Sequence, residues 1–404
     1  MKMFVLSIVA LTVLAGAALP RAEPNPTQTT AREAVRGSLV SFDLIETKAR
    51  SELQVTAAEF PGGISVVAGA RLYRLRYWTE FRGRPVIASG LVSAPMLEVA
   101  IRGVVLYAHG TTMTRALSPS RPDRADGNEE TAVFAGNGYL VLLPDYVGLG
   151  DSPLRQAYSI VRPQVDASID MLRAVRTVAN REHWDLRPSL LLMGFSQGGQ
   201  TVAGVHRALE REPLHGYRLR GTVAVAGPHN LRALSVSKTH VPEALEPINV
   251  GYLAFAVLAY ADYYDVPLRT AMTPTYAQRA IEAFDGTKSL EEIVRLLPSD
   301  ARLLFQPDFL RSLQANGDNW LTRALDENET FAWVPRAPIR IVFGEADKNV
   351  PAASSRALYD YASRRGGAVS LHDMGAADHM TTAALSYAPT LAWFDTLTGG
   401  ERGP

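Results

Sequence analysis

The sequence of 404 residues contains no cysteine. This absence excludes disulfides, cysteine-ligated metal ions and a lipid-modified cysteine behind an export signal. An excess of one charge is lacking as well, because 41 Lys and Arg residues balance 41 Asp and Glu residues. A neutral chain gives no electrostatic reason to expect a nucleic-acid partner. Apolar residues make up 47% of the sequence, which is typical of a packed globular protein.

Long apolar runs are also scarce, and the most distinct one lies at the N-terminus. Met1-Lys2-Met3 carries a positive charge, Phe4 to Leu19 is apolar, and Ala22 is one of several small residues that suit cleavage by a signal peptidase. The run is short for a membrane span and prolines follow it, so the pattern predicts a signal peptide over residues 1–22 rather than an anchor. We therefore expect export to the periplasm or the medium.

The next part of the sequence changes from a polar linker to alternating strands and helices. Residues 23–69 are predicted to be a linker and lead-in, with a short helix between Phe42 and Ala58. Ala70 to Glu80 and Pro85 to Ser93 alternate apolar and polar side chains, which predicts two antiparallel strands at a sheet edge. Further strands are predicted at Gly103–Ala108, Tyr139–Leu143, Leu190–Met193 and Arg218–Ala226, and a helix is predicted at Gln164–Asn180. Such alternation predicts a mainly parallel sheet with helices on both faces.

This alternation stops in the middle of the chain. Residues 227–337 contain prolines and helical segments but no strand pattern, and the sheet resumes at Ile339–Phe343. The sequence therefore predicts an α/β core in two parts, 70–226 and 338–404, interrupted by a helical cap. The predicted cap helices are Val250–Tyr264, Tyr276–Phe284, Leu290–Leu297 and Ala301–Leu313. The first of these is apolar on nearly all sides, so it either packs between cap and core or lines a pocket for an acyl group.

The stretch most informative about chemistry is Gly194-Phe195-Ser196-Gln197-Gly198, which follows an apolar strand and precedes a helix. This is a G-x-S-x-G motif in its strand–turn–helix context. The glycines leave room for a tight turn, and the turn presents the Ser196 hydroxyl at a helix N-terminus. The backbone N–H of Gln197 is then a candidate donor to a developing oxyanion.

Other polar residues follow the predicted strands and should lie at the same edge of the sheet as Ser196. His109 and Asp145 each come directly after a strand. We interpret His109 as part of a loop that shapes the site, and Asp145-Tyr146-x-Gly148-x-Gly150-x-Ser152 as a structural turn. No group of His, Asp and Glu residues has the spacing of a metal site, and no cofactor is predicted.

The core resembles the α/β-hydrolase fold, in which a serine, an acid and a histidine follow one another along the chain. The resemblance implies that Ser196 is the nucleophile, Asp347 the acid and His379 the base. Gly344-x-x-Asp347-x-x-Val350-Pro351 matches the acid loop, which favours Asp347 over Glu345, and His379 stands in the loop after the last strand, whereas His372 lies within it. His109-Gly110-Thr111 matches the loop that supplies the second oxyanion donor. Its expected donor is the N–H of Thr111, with that of Thr112 as the alternative.

Within that fold, Tyr-x-His-Gly-Thr-Thr, Pro-Asp-Tyr-x-Gly-x-Gly-x-Ser and Gly-Phe-Ser-Gln-Gly-Gly ahead of a large cap are similar to secreted lipases and esterases of the secretory lipase group. The resemblance implies hydrolysis of carboxylic esters or lipids, with possible contact with a lipid interface. Two other functions stay open, a serine peptidase or aminoacyl hydrolase and a catalytically inert binding protein. The substrate-binding residues and the oligomeric state are not predicted.

Overall fold

In the computed structural model, the protein is described over residues 35–121, 127–239 and 247–399. The predicted signal peptide and most of the polar linker lie outside these residues. The described residues form one sheet of nine strands. Its strands are β1 (Leu39–Lys48), β2 (Ala70–Phe81), β3 (Arg84–Pro95), β4 (Val104–Ala108), β5 (Leu140–Pro144), β6 (Ser189–Phe195), β7 (Arg218–Val225), β8 (Ile339–Phe343) and β9 (Val369–Asp373).

The order of the strands places the chemistry-bearing loops together. The sheet runs β1-β2-β3-β5-β4-β6-β7-β8-β9, and every neighbouring pair from β5 to β9 is parallel. The pairs β1–β2, β2–β3 and β3–β5 are antiparallel. Because parallel strands all end at one edge of a sheet, the loops after β4, β6 and β8 meet there. The prediction of a mainly parallel sheet is confirmed.

Six α-helices cover the two faces of the sheet. They are α1 (Arg50–Ala57), α2 (Asn128–Val133), α3 (Val161–Arg181), α4 (Gln197–Arg211), α12 (Ala352–Ser363) and α13 (His379–Leu397). Apolar side chains alternate between the faces along each central strand. Leu190 and Leu192 of β6 pack in one buried cluster, whereas Leu191 and Met193 pack in another. Burial on both faces explains why these strands read as continuous apolar runs.

The edge of the sheet differs from the prediction. β2 and β3 are antiparallel neighbours, as expected, but β1 lies outside them and forms the edge. The short helix predicted between Phe42 and Ala58 is α1, but the sequence does not predict the strand Leu39–Lys48 in this lead-in. None of the ten side chains of β1 is fully buried, and its pairing with β2 has two register shifts. An exposed, irregular edge strand has no clean alternation for sequence reasoning to detect.

Seven helices of the described chain lie between β7 and β8, and we call them the helical insertion. They are α5 (Leu231–Thr239), α6 (Pro247–Tyr263), α7 (Pro274–Ala283), α8 (Leu290–Leu296), α9 (Ala301–Leu304), α10 (Pro307–Gln314) and α11 (Trp320–Glu327). The helix predicted over Ala301–Leu313 is two helices, because Pro307 cannot continue a helix and Gln306 before it is extended. α5 and α11 were not predicted. None of the described helices combines the length and apolar composition that a membrane span needs.

The apolar helix α6 is the centre of the insertion. Phe255 and Leu258 pack in a buried cluster with Ile293 of α8, Phe309 of α10 and Leu321 of α11. A helix surrounded on nearly all sides by apolar contacts can itself be apolar all round, which is what its sequence shows. The described chain adds three short 3₁₀ helices, at Arg115–Leu117, Ala135–Asn137 and Leu268–Thr270.

A buried histidine joins the two ends of the insertion. The backbone oxygen of His229, just after β7, accepts a hydrogen bond from the N–H of Thr330, just before β8, at 3.0 Å. The His229 ring Nδ1 lies 3.0 Å from the Thr330 hydroxyl, and the His229 N–H donates to the Ser354 hydroxyl at 2.8 Å. Burial lowers the pKa of His229 to about 3, so the ring is neutral at ordinary pH.

This burial predicts an acid-sensitive contribution to stability. The unfolded chain binds the His229 proton below a pKa of about 6.5, whereas the folded chain binds it only near 3. The free energy of unfolding therefore falls as the pH drops from about 6.5 towards 3. Urea denaturation at pH 7, 5.5 and 4 should show that the free energy of unfolding decreases less with falling pH in His229→Gln than in the wild type. The exposed His215→Gln is the control and should keep the wild-type dependence; equal pH slopes in all three proteins would contradict the prediction.

Candidate active site

Ser196 stands on a strained turn between β6 and α4. Its backbone has φ 55° and ψ −121°, a conformation that residues other than glycine rarely adopt. The turn closes because two neighbours lack a Cβ. A Cβ on Gly194 would lie 2.2 Å from the backbone oxygen of Gly198, and a Cβ on Gly198 would lie 1.8 Å from that of Ala108. The two glycines are therefore required by the close packing of β6, α4 and β4.

Ser196, His379 and Asp347 form a continuous hydrogen-bonded chain. The His379 ring has Nε2 2.9 Å from the Ser196 hydroxyl oxygen and Nδ1 2.6 Å from Oδ2 of Asp347. His379 is the first residue of α13, whose N-cap Asp378 accepts a hydrogen bond from the N–H of Thr381. The ring also packs on Phe195, with 4.6 Å between the ring centroids. The imidazole is thus held from three sides with one nitrogen towards the serine.

Asp347 is fixed by the loop that follows β8. It is 5% exposed, and its Oδ1 accepts hydrogen bonds from the N–H groups of Asn349 and Val350 at 2.9 and 2.8 Å. Its other oxygen is left for His379. Glu345, the alternative acid that the sequence offers, is exposed and forms an ion pair with Arg356 at the surface. Only Asp347 of these two acids contacts the histidine.

The other candidate residues stand apart from this chain. His372 lies in β9, where its Nε2 is 2.9 Å from the Ser370 hydroxyl. His109 is fully buried, stacks on Tyr146 at 4.3 Å and has Nδ1 2.7 Å from the oxygen of Gly110. Asp145 is fully buried and accepts hydrogen bonds from the hydroxyls of Ser89 and Ser120 at 2.6 and 2.5 Å.

The environment of Asp145 accounts for its place in the fold. Burial raises the pKa of this carboxyl, while the hydrogen bonds from Ser120 and Ser89 oppose that rise. Three neighbouring segments are tied together by these bonds, because Ser89 lies in β3 and Ser120 lies in the loop after β4. Asp145 therefore connects β3 with the loop after β4 and does not line the cavity beside Ser196.

Gln197 and Thr111 are the two candidate backbone donors beside Ser196. Gln197 is the first residue of α4, so its N–H has no partner within the helix. Thr111 follows β4 and lines the same cavity as Ser196 and His379, whereas Thr112 is buried outside that lining. The side-chain amide of Gln197, 1% exposed, has no hydrogen-bond partner in the described parts of the chain. The arrangement combines a base, a hydroxyl and a helix N-terminus, which suits attack by Ser196 on a carbonyl carbon.

A cavity of about 90 Å³ opens beside Ser196. One wall comes from the core and carries Thr111, Tyr158 and Gln197; the other comes from the helical insertion. The insertion wall is mixed, with apolar side chains and several polar ones: Leu231, Leu234, Lys238, Asn249, Tyr252 and Leu253. Helix α6 thus packs in the buried cluster of the insertion and also lines the cavity.

Sequence reasoning did not identify several cavity residues. Tyr158 lies in the loop before α3, and Leu234 and Lys238 lie on α5, a helix that was not predicted. No motif marks these positions, since what they share is a place in space rather than a spacing along the chain. In the described residues, no group of three or more His, Asp or Glu side chains is arranged to hold a metal ion.

A known protein family matches most of the chain. The family described as "Secretory lipase" matches residues 131–402, about two thirds of the chain. This span includes Ser196, Asp347 and His379 and excludes the oxyanion loop with Thr111. No curated protein sequence is significantly similar to the chain.

Solved structures show the same architecture. A protein from Legionella pneumophila with a provisional hydrolase assignment superimposes with a TM-score of 0.82 at 25% identity, over 91% of this chain and 100% of its own. The rice cell wall degrading esterase LipA from Xanthomonas oryzae gives a TM-score of 0.81 at 23% identity, with the same coverage. Candida antarctica lipase A gives 0.70 at 15% identity, over 96% of this chain and 89% of its own. The fold is the α/β-hydrolase fold, as the sequence predicted.

The 2.6 Å contact between His379 Nδ1 and Asp347 predicts a spectroscopic signature. A short charge-assisted hydrogen bond shifts its proton strongly downfield in ¹H NMR, so protein labelled with ¹⁵N-histidine should show a downfield imidazole proton. Asp347→Asn should abolish this signal, because a neutral amide replaces the charged carboxylate that accepts the hydrogen bond. Glu345→Gln is the matched control and should retain it. A signal that survives Asp347→Asn would mean that another group holds the ring.

Proposed function

Because the chain belongs to the secretory lipase family, we propose that it is an exported serine hydrolase that cleaves carboxylic esters. The observation that carries this proposal is the hydrogen-bonded chain from Asp347 through His379 to Ser196 at the wall of a cavity. These are the three groups that an activated serine needs, at hydrogen-bonding distance from one another.

In the proposed reaction, His379 Nε2 takes the Ser196 proton as the oxygen attacks the ester carbonyl. The electron pair of the C=O bond moves to the oxygen, which the N–H groups of Gln197 and Thr111 stabilise. Collapse of this intermediate expels the alcohol, which receives the proton from His379. A water molecule, deprotonated by His379, then hydrolyses the acyl-enzyme in the same manner. Asp347 holds the imidazole in the tautomer that presents Nε2 to the serine.

The cavity favours short acyl groups. Its volume of about 90 Å³ is smaller than the roughly 150 Å³ of an engineered protein cavity that binds benzene. Leu231, Leu234 and Leu253 provide apolar surface for a few methylene groups, while polar side chains limit a longer chain. We therefore infer a carboxylesterase preference rather than a preference for long-chain lipids.

Export is part of the proposal. The family is named for secretory lipases, and residues 1–22 carry the charge and apolar run of a signal peptide. The mature protein is expected in the periplasm or the medium, where a chain without cysteine needs no oxidative folding.

Replacing the serine tests the proposed nucleophile. Ser196→Ala should lower kcat on a soluble ester by about 10⁴-fold or more, because no acyl-enzyme forms. Asp347→Asn should also lower kcat strongly, since the imidazole takes the wrong tautomer, whereas Glu345→Gln should stay near the wild type. Circular dichroism and thermal unfolding check that each variant is folded. Substantial turnover by folded Ser196→Ala would refute the assignment.

Acyl preference is tested with p-nitrophenyl esters from acetyl to palmitoyl, together with an aminoacyl anilide. kcat/KM should peak among the short chains and fall beyond them, because the cavity cannot enclose a longer acyl group. The rate measured with Ser196→Ala under the same conditions gives the spontaneous hydrolysis, which is subtracted. A peak at palmitoyl would indicate a lipase with an opened acyl tunnel. Cleavage of the anilide without the esters would favour a peptidase, and a wild type inert on every substrate would favour a binding protein.

A further inference from the structure

The cavity wall contains a tyrosine that the mechanism above does not use. Tyr158 lies in the loop before α3 and lines the cavity together with Ser196, His379 and Thr111. Its ring stacks on Phe255 of α6, with centroids 4.5 Å apart and 12° between the planes. Phe255 stacks in turn on Phe284 at 4.6 Å. The ring of Tyr158 is therefore fixed by the insertion while its hydroxyl group lies beside the loop that carries Thr111.

The hydrogen bonds of this hydroxyl leave its proton unused. The Thr111 hydroxyl donates to the Tyr158 oxygen at 3.3 Å. A phenol oxygen accepts through two lone pairs and donates one proton. The Tyr158 oxygen accepts from Thr111, and within the described ranges no hydrogen bond uses the Tyr158 O–H as a donor. Burial raises the pKa of Tyr158, so the group keeps its proton at neutral and mildly basic pH.

Tyr260 shows the contrast within the same cavity. Its hydroxyl is fully buried and donates to the backbone oxygen of Ser159 at 2.9 Å, so its proton is already used. Tyr158 differs because its oxygen accepts a hydrogen bond from Thr111, and its O–H has no acceptor among the residues that the structure describes. A fixed donor without an acceptor, at the wall of a reaction cavity, is what stabilisation of a developing negative charge requires.

We propose that the Tyr158 hydroxyl donates a hydrogen bond to the substrate carbonyl oxygen and is a third oxyanion donor beside the N–H groups of Thr111 and Gln197. This inference rests on the proposed ester hydrolysis. As Ser196 attacks, the carbonyl π electrons move to the oxygen, and the Tyr158 O–H shortens its hydrogen bond to that oxygen without giving up its proton. When the intermediate collapses, the electron pair returns and the bond lengthens again. No acid, oxidant or further reactant is needed.

The test compares Tyr158→Phe with the wild type on p-nitrophenyl butyrate. This substitution removes only the hydroxyl and keeps the ring that stacks on Phe255. A donor that acts mainly on the oxyanion predicts a loss of about 10- to 100-fold in kcat with little change in KM. A trifluoromethyl ketone, which forms a hemiketal oxyanion on a serine, should lose affinity by a similar factor.

Two further variants separate this role from a structural one. Tyr217→Phe is the matched control, because the Tyr217 hydroxyl donates to the backbone oxygen of Leu172 at 2.9 Å, at the opposite end of the sheet from Ser196. It should retain wild-type kcat. Thr111→Val removes the hydroxyl that bonds Tyr158 but keeps the Thr111 backbone N–H. If Tyr158 contacts the substrate, Tyr158→Phe must still lower kcat in the Thr111→Val background.

The possible results give distinct answers. The proposal would be overturned if Tyr158→Phe changes only KM, or if it leaves both kcat and KM unchanged. It would also be overturned if the effect of Tyr158→Phe on kcat disappears in the Thr111→Val background, because Tyr158 would then only hold the Thr111 loop. Failure of the proposed function would appear differently, as a wild type that does not hydrolyse esters or whose hydrolysis survives Ser196→Ala. A Ser196-dependent esterase unaffected by Tyr158→Phe would refute this inference alone.

Discussion

The position of Ser196 depends on the close packing of three backbones. β6, α4 and the end of β4 approach so nearly that a methyl group on Gly194 or Gly198 would collide with carbonyl oxygens at 2.2 and 1.8 Å. This contact fixes the turn, and the turn places Ser196 at positive φ at the start of α4. Asp347 follows β8 and His379 follows β9, and the parallel pairing of β6, β7, β8 and β9 brings the ends of these strands to the same edge of the sheet.

The core and the insertion contribute different parts of the site. The residues of the proposed reaction, Ser196, Asp347, His379 and Thr111, all follow strands of the sheet. The insertion contributes one wall of the cavity and holds Tyr158 through the stack on Phe255. This division places the reaction on rigid elements and the selection of substrates on the helices that cover them.

Much of the core could be predicted from the sequence because its signals are local. Apolar runs marked the central strands, and the glycines around Ser196 marked the turn, since both are requirements on neighbouring residues. β1 escaped detection because an exposed edge strand needs no alternating pattern. Tyr158 and α5 escaped for another reason, since their place at the cavity is set by tertiary packing. Asp347 and Glu345 differ by two positions; the acid-loop pattern favours Asp347, and it is Asp347 whose carboxylate contacts His379, while Glu345 pairs with Arg356.

The contacts between His229 and Thr330 have an evolutionary consequence. They join the beginning and the end of the helical insertion beside β7 and β8, which pair with each other. The pairing of these two strands therefore does not depend on the length of the insertion. A lineage can therefore exchange or resize these helices as a module while Ser196 and its partners stay in register. Substrate range can diverge in this architecture without rebuilding the machinery that breaks the bond.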